Sequence, residues 1–176
     1  MPVNMKRMIS KELFSLIEEK GIDKINVQLL ASRCGISRQA FYYHFKDIAD
    51  VFDWTCQELL HNLKNKTDRQ TDLTDTLQLY LDMAVTCRHH LMRICASSHY
   101  YSFEKLLCHY TRLFLEYILQ KQWSDTLTTP ENSDFFLDIF SPALFFHALH
   151  LSQQTHPDTK RDAQQLAHLI QSRINC

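Results

Sequence analysis

Gly35 is one of only two glycines in a chain of 176 residues, and it stands between two short amphipathic segments. With only four prolines besides, long stretches carry neither of the residues that break a helix, so the expected fold is all-α. Around Gly35 the run Val27 to Phe45 reads VQLLASRCGISRQAFYYHF. Val27, Leu30, Ala31 and Cys34 recur at the spacing of one helix face. Asn26 precedes them as an N-cap, able to accept an orphan backbone N–H. Gly35 follows as the left-handed residue on which helices commonly end, and Ser37 starts a second helix as its N-cap. In that second helix Ile36, Ala40, Phe41 and Phe45 face inward. Gln39, Tyr42, Tyr43 and Lys46 form the complementary stripe, with Arg38 beside it near the helix N-terminus. Asp47 then caps a further helix whose apolar positions include Ile48, Val51, Phe52, Thr55, Leu59 and Leu63.

This is the layout of a helix-turn-helix. Two helices joined by a glycine turn can be mere packing, but an outward row of Arg, Gln, Tyr, Tyr and Lys suits phosphate and base contact better than a protein core. Double-stranded DNA is the expected partner. Arg38 and Gln39 are assigned to base edges, because Arg pairs bidentately with guanine and Gln with adenine. Asn26, Ser37, Tyr42, Tyr43, His44 and Lys46 are assigned to phosphates and register. His44 has a second reading, in which it only packs the end of the recognition helix.

Taken whole, residues 5 to 60 resemble the DNA-binding domain of TetR/AcrR-type bacterial transcriptional regulators. The residues that carry the resemblance are Met8, Ile9, Leu13, Leu16 and Ile17 ahead of Lys20 and Gly21. They continue through Ile25, Asn26 and Val27, then Ile36, Ser37 and Arg38, and close on Phe41, Tyr42, His44, Phe45 and Lys46. Where that family commonly has Gly and Thr or similar after the arginine, this chain has Gln39 and Ala40; it also has Asn26 where threonine is usual. The fold is untouched by these departures, but the base-reading surface is altered, so an operator sequence does not carry over. The resemblance implies an N-terminal helix-turn-helix domain (residues 1–47) joined through a fourth helix to a helical effector-binding and dimerisation domain (residues 48–176). It also implies a regulator, most often a repressor, that binds a palindromic operator as a homodimer and is released by an effector.

Net charge is −1, which looks wrong for a DNA-binding protein until it is split. Residues 1–46 hold eight Lys/Arg against four Asp/Glu, a local +4 against −5 for the remainder. The local sign is what attracts phosphate. Six cysteines are scattered with no CxxC spacing and read as reduced core residues. No apolar run reads as long enough to span a bilayer, and the N-terminus lacks the apolar stretch of a secretory signal. Cytoplasm is therefore the expected location, with no membrane partner.

Beyond the fourth helix, residues 65–74 are polar and read as a linker. Leu77, Tyr80, Leu81, Ala84 and Cys87 give a helical face, a short helix covers 91–96, and a long one runs over 101–123. Residues 124–132 read as a loop. The segment 135–151 is apolar on nearly every side, and Pro142 is expected to bend or break it. His156-Pro157-Asp158 marks a last helix start, with proline in the first turn. A helix as apolar as 135–151 needs cover on most of its surface. It is either the central core helix of a monomer or half of an obligate, core-like interface. The resemblance favours the second reading, with the last two helices pairing across two subunits through Phe136, Phe140, Leu144, His147, Leu151, Leu166, Ile170 and Ile174.

The resemblance also implies an effector pocket, for which Tyr80, Met83, Tyr100, Tyr101, Phe103, Tyr110 and Tyr117 are the candidate lining; aromatic stripes of this kind also serve as plain core. Nine of the ten histidines lie from His61 onward, and His89, His90, His99 and His109 sit near Cys87, Cys95 and Cys108. Their spacing matches no compact zinc pattern, so no metal and no cofactor is expected. No phosphate-cradling glycine loop or nucleophile elbow can be placed, and the chain is not expected to be an enzyme. The rival class is a helical interaction protein whose C-terminal domain binds a partner protein, such as a co-regulator, in place of a small molecule.

Overall fold

The computed structural model describes residues 4–69, 72–123 and 130–174. Among them are nine α-helices, one 3-10 turn and no strand. They form two compact units, Met1–Leu59 with His89–Leu106, and Leu60–Arg88 with Leu107–Cys176. The division differs from the simple split after residue 47. It falls inside two helices, α4 (Ile48–Thr67) and α7 (Tyr100–Trp123), and groups residues 89–106 with the N-terminal helices.

The first unit holds α1 (Met5–Lys20), the 3-10 turn (Ile22–Lys24), α2 (Val27–Arg33), α3 (Arg38–His44), the first part of α4, most of α6 (Arg88–Cys95) and the start of α7. Its helix α1 buries Ile9, Leu13, Leu16 and Ile17, the positions that helical spacing puts on one face. Gly21 ends α1 at φ 78°, donating its N–H to Ile17 O. Phe14 stacks on Phe52 at 5.8 Å between ring centroids, and Phe52 meets Phe103 edge-on at 4.5 Å. His90 lies 5.0 Å from Phe14. The carboxylate of Asp23, in the 3-10 turn, accepts hydrogen bonds from the Ser98 N–H at 3.2 Å and the Ser98 hydroxyl at 2.9 Å. These contacts explain why the chain from His89 to Leu106 belongs with the N-terminal helices. None of them has a signal in local periodicity.

The second unit is built around α5 (Leu73–Thr86), which packs against α8 (Pro130–Ser152) and α9 (Thr159–Ile174). Its core includes Leu73, Leu77, Tyr80 and Leu81 of α5, Phe114, Leu115 and Ile118 of α7, Leu137, Leu144 and Leu151 of α8, and Ala163, Ala167 and Ile170 of α9. The polar stretch at 65–74 is shorter than expected, since α4 runs to Thr67 and α5 begins at Leu73. Pro142 does not break α8, which continues through it to Ser152. Pro157 precedes α9 without entering its first turn; Asp158 is the cap, its carboxylate accepting from the Arg161 N–H at 3.0 Å. Of the loop expected at 124–132, residues 124–129 lie outside the described residues, and Pro130 already belongs to α8.

The inward face of α8 is the one expected to face a second subunit. Leu144 and Leu151 are buried in the chain's own core together with Ile170, and Phe136, Phe140 and Leu166 pack against that core partly buried. His147 Nε2 lies 2.9 Å from Asp162 Oδ2 of α9. Ile174 has its side chain outside the described residues. The outward apolar stripe is instead Phe135, Ile139, Ala143 and Phe146, with Leu169 exposed on α9. At 100° per residue the stripe sits about a quarter-turn from the expected set. An all-round apolar helix gives sequence reading no polar face from which to fix that register. By length and composition alone Asp134–Ser152 is also long and apolar enough to cross a membrane, contrary to the sequence expectation; the same segment supplies the buried Leu137, Leu144, Ala148 and Leu151 to the core of the second unit.

Candidate nucleic-acid interface

The candidate interface is set by how α2 ends. Cys34 caps α2, Gly35 sits at φ 66°, the Gly35 N–H donates to Ser32 O at 3.1 Å, and the Ile36 N–H reaches back to Ala31 O at 3.0 Å. This pair of bonds is a Schellman closure, which needs a left-handed residue where Gly35 stands. A Cβ on Gly35 would meet nothing within 4 Å, so the requirement there is backbone conformation, not space. Both expected caps form: Asn26 Oδ1 accepts the Leu29 N–H at 2.8 Å and Ser37 Oγ accepts the Ala40 N–H at 3.0 Å. Each holds a seven-residue helix too short to be stable alone.

Packing fixes the roll of α3. Phe41 is fully buried and Phe45 nearly so, the Phe45 ring lying edge-on to Trp54 at 5.9 Å. With those two residues inside, Arg38, Gln39, Tyr42, Tyr43 and Lys46 are all exposed. Tyr42 is 58% and Tyr43 86% exposed, far from the burial that aromatic residues usually reach. His44 is half-buried and meets the Tyr43 ring edge-on at 5.0 Å, so it touches both the packing and the outward row. At the end of the helix the Lys46 N–H donates to Asp50 Oδ2 and the Asp50 N–H to Asp47 Oδ1, both at 2.8 Å. The Asp50 carboxylate thereby pins the Lys46 backbone. The eight DNA-directed residues of the sequence analysis thus share one short stretch, seven of them exposed.

The local positive charge is less evenly available than a count suggests. Arg33 is gripped by Glu19 at 2.5 Å and Glu12 at 3.2 Å, which raise its pKa, the Glu19 bond most. Arg7 pairs with Glu58 on α4 at 2.9 Å. Both arginines tie helices together.

The candidate effector residues divide between the units, with Tyr100, Tyr101 and Phe103 in the first and Tyr80, Met83, Tyr110 and Tyr117 in the second. Phe103 is core, whereas Tyr101 is exposed with Lys105 Nζ 4.5 Å above its ring. Tyr80 is buried, stacks on Phe114 at 5.3 Å and is hydrogen-bonded to Thr111 at 2.7 Å; burial pushes its phenol pKa up. The Tyr117 hydroxyl donates to Asp68, and desolvation together with that bond pushes its pKa up to about 12. Met83 and Tyr110 are half-buried. Among the described residues no group of three His, Cys, Asp or Glu side chains stands ready to hold a metal. Burial pushes the thiols of Cys34, Cys87 and Cys95 away from the thiolate form.

Residues 11–53 match the family described as "Bacterial regulatory proteins, tetR family". The match spans most of α1, all of α2 and α3, and the start of α4. No curated protein matches the chain in sequence. Its fold is shared over nearly the whole chain by solved structures of low identity. The dihydroxyacetone kinase operon activator DhaS has a TM-score of 0.72 at 17% identity, covering 98% of this chain and 97% of that one. The TetR family repressor AlkX from Dietzia sp. strain DQ12-45-1b has a TM-score of 0.65 at 12% identity, covering 96% of each chain. The fatty acid degradation regulator FadR from Bacillus halodurans has a TM-score of 0.61 at 15% identity, covering 95% and 96%. The chain has the fold of a TetR-family transcriptional regulator.

Proposed function

We propose that this protein is a cytoplasmic, non-catalytic repressor that binds a palindromic operator as a homodimer and leaves it when an effector binds the C-terminal part. The observation that carries the reading is the outward row on α3, where Arg38, Gln39, Tyr42, Tyr43 and Lys46 are exposed while Phe41 and Phe45 lock the helix in place. Arg38 and Gln39 near the helix N-terminus read bases, and the remaining side chains hold phosphates. Pairing of two copies would cover Phe135, Ile139 and Phe146, which a lone chain leaves in water. Two paired recognition helices then read two half-sites. An effector releases the operator only if it binds the DNA-free conformation more tightly than the bound one.

Selection from a randomised duplex pool, with the solution mass measured alongside, tests this directly. An enriched inverted repeat and a dimer mass support the reading; a folded monomer that enriches nothing refutes it. Transcription from a promoter carrying the selected site then decides the sign. This matters because one of the similar structures is named an operon activator and another a repressor.

A further inference from the structure

The lysine at position 6 lies in the first turn of α1, remote in sequence from the recognition helix, yet its Nζ stands 5.1 Å from the centre of the Phe45 ring. Phe45 is the C-cap of α3, and the exposed Lys46 follows it directly. The next residue, Arg7, is turned elsewhere and spent on Glu58. For Lys6 no carboxylate stands within ion-pair distance among the described residues. The fold therefore delivers a second cation to the end of the recognition helix, with its stem half-buried and its charge lying over an aromatic face.

We propose that Lys6 is a DNA-phosphate ligand, forming with Lys46 a two-cation clamp at the C-terminal end of α3. The proposal rests on the reading of α3 as the recognition helix and adds a contact from a different element. Two ammonium groups flanking one helix end can each neutralise a phosphate while Arg38 and Gln39 reach the bases at the other end. Such a contact fixes how deeply and at what angle α3 enters the groove without carrying sequence information itself. The ring beneath Lys6 is a weaker partner for its charge than an anionic oxygen, because a neutral ring face offers only its quadrupole where a phosphate offers a full charge and a hydrogen-bond acceptor.

The test is the salt dependence of binding to a mixed-sequence duplex by wild type, Lys6→Met and Lys6→Arg. Met keeps the apolar stem over Phe45 and removes the charge; Arg keeps both. Each phosphate contact contributes about 0.9 to the slope of log K against log salt. Lys6→Met is expected to flatten the slope by about that amount per subunit, and to weaken selected and mixed duplexes by the same factor. Lys6→Arg should keep the wild-type slope. Weaker binding by Lys6→Met with the slope unchanged would mean that Lys6 only props Phe45, and would overturn the proposal, as would unchanged binding. If wild type itself bound duplex with no salt dependence, the recognition-helix reading would fail first and take the clamp with it.

Discussion

Between α1 and α4 lies one buried polar pair whose proton directions follow from the geometry. Thr55 Oγ1 lies 2.7 Å from the Val51 carbonyl and 2.7 Å from Ser10 Oγ. A hydroxyl has one proton, and the Thr55 proton goes to the carbonyl, so Ser10 must donate to Thr55. Both residues are only 8% exposed. The two single substitutions are therefore unequal. Thr55→Val keeps the shape but leaves the Ser10 proton buried with no acceptor, which costs about 2 kcal/mol. Ser10→Ala leaves the Thr55 proton satisfied and costs about 1 kcal/mol. Removing both hydroxyls leaves nothing stranded, so the double variant should be more stable than Thr55→Val alone. Urea unfolding followed by tryptophan fluorescence in a Trp123→Phe background makes Trp54 the reporter of this unit, and a changed midpoint at constant slope isolates the stability term. If Ser10→Ala costs more than Thr55→Val, or if the double variant loses the sum of the two, the assigned proton directions are wrong.

Three further outcomes follow from the same structure. Ser37→Ala removes the cap of α3 at a cost of about 1 kcal/mol, about fivefold in the local opening equilibrium; hydrogen exchange should speed up at the Ala40 N–H and not at the Leu29 N–H capped by Asn26. The Asp23 carboxyl pKa lies below its ordinary value, chiefly because of its bonds from the Ser98 hydroxyl and N–H. A depressed folded value means that the clasp is present above about pH 4, the unfolded value, and is lost as pH falls through the lower one. A carbon-detected titration that placed Asp23 at or above the ordinary value would remove it. Ile139→Glu puts an unpaired charge into the outward stripe of α8 and should weaken self-association more than tenfold while leaving helix content unchanged; a dimer of wild-type strength would move the interface elsewhere.

The helix-turn-helix was legible because its signals are local. Asn26, Gly35 and Ser37 each act on a backbone group within a few residues, so spacing alone gives both their roles and the outward row. What escaped was carried by contacts distant in sequence. The packing of Phe14 against His90 and the bonds from Ser98 to Asp23 attach residues 89–106 to the N-terminal helices, and no periodicity announces them. Lys6 escaped for the same reason, since its place is known only relative to Phe45. Arg7 and Arg33 count toward positive charge in the sequence, yet the fold pairs both with glutamates. On α8 the difficulty was too much signal. With apolar residues on every side, the stripe through Phe136, Phe140 and Leu144 and the one through Phe135, Ile139 and Phe146 read alike until α5 and α9 were seen to cover the first.

The most direct test of the recognition assignment compares Arg38→Ala, Lys46→Ala and wild type on every single-base variant of the selected site. Base reading by Arg38 predicts that its loss flattens preference at one position in each half-site, by about 1–3 kcal/mol there. Phosphate holding by Lys46 predicts that its loss weakens all variants by the same factor. If both substitutions weakened every duplex equally, α3 would be gripping the backbone without reading it, and the assignment of Arg38 to a base would be refuted.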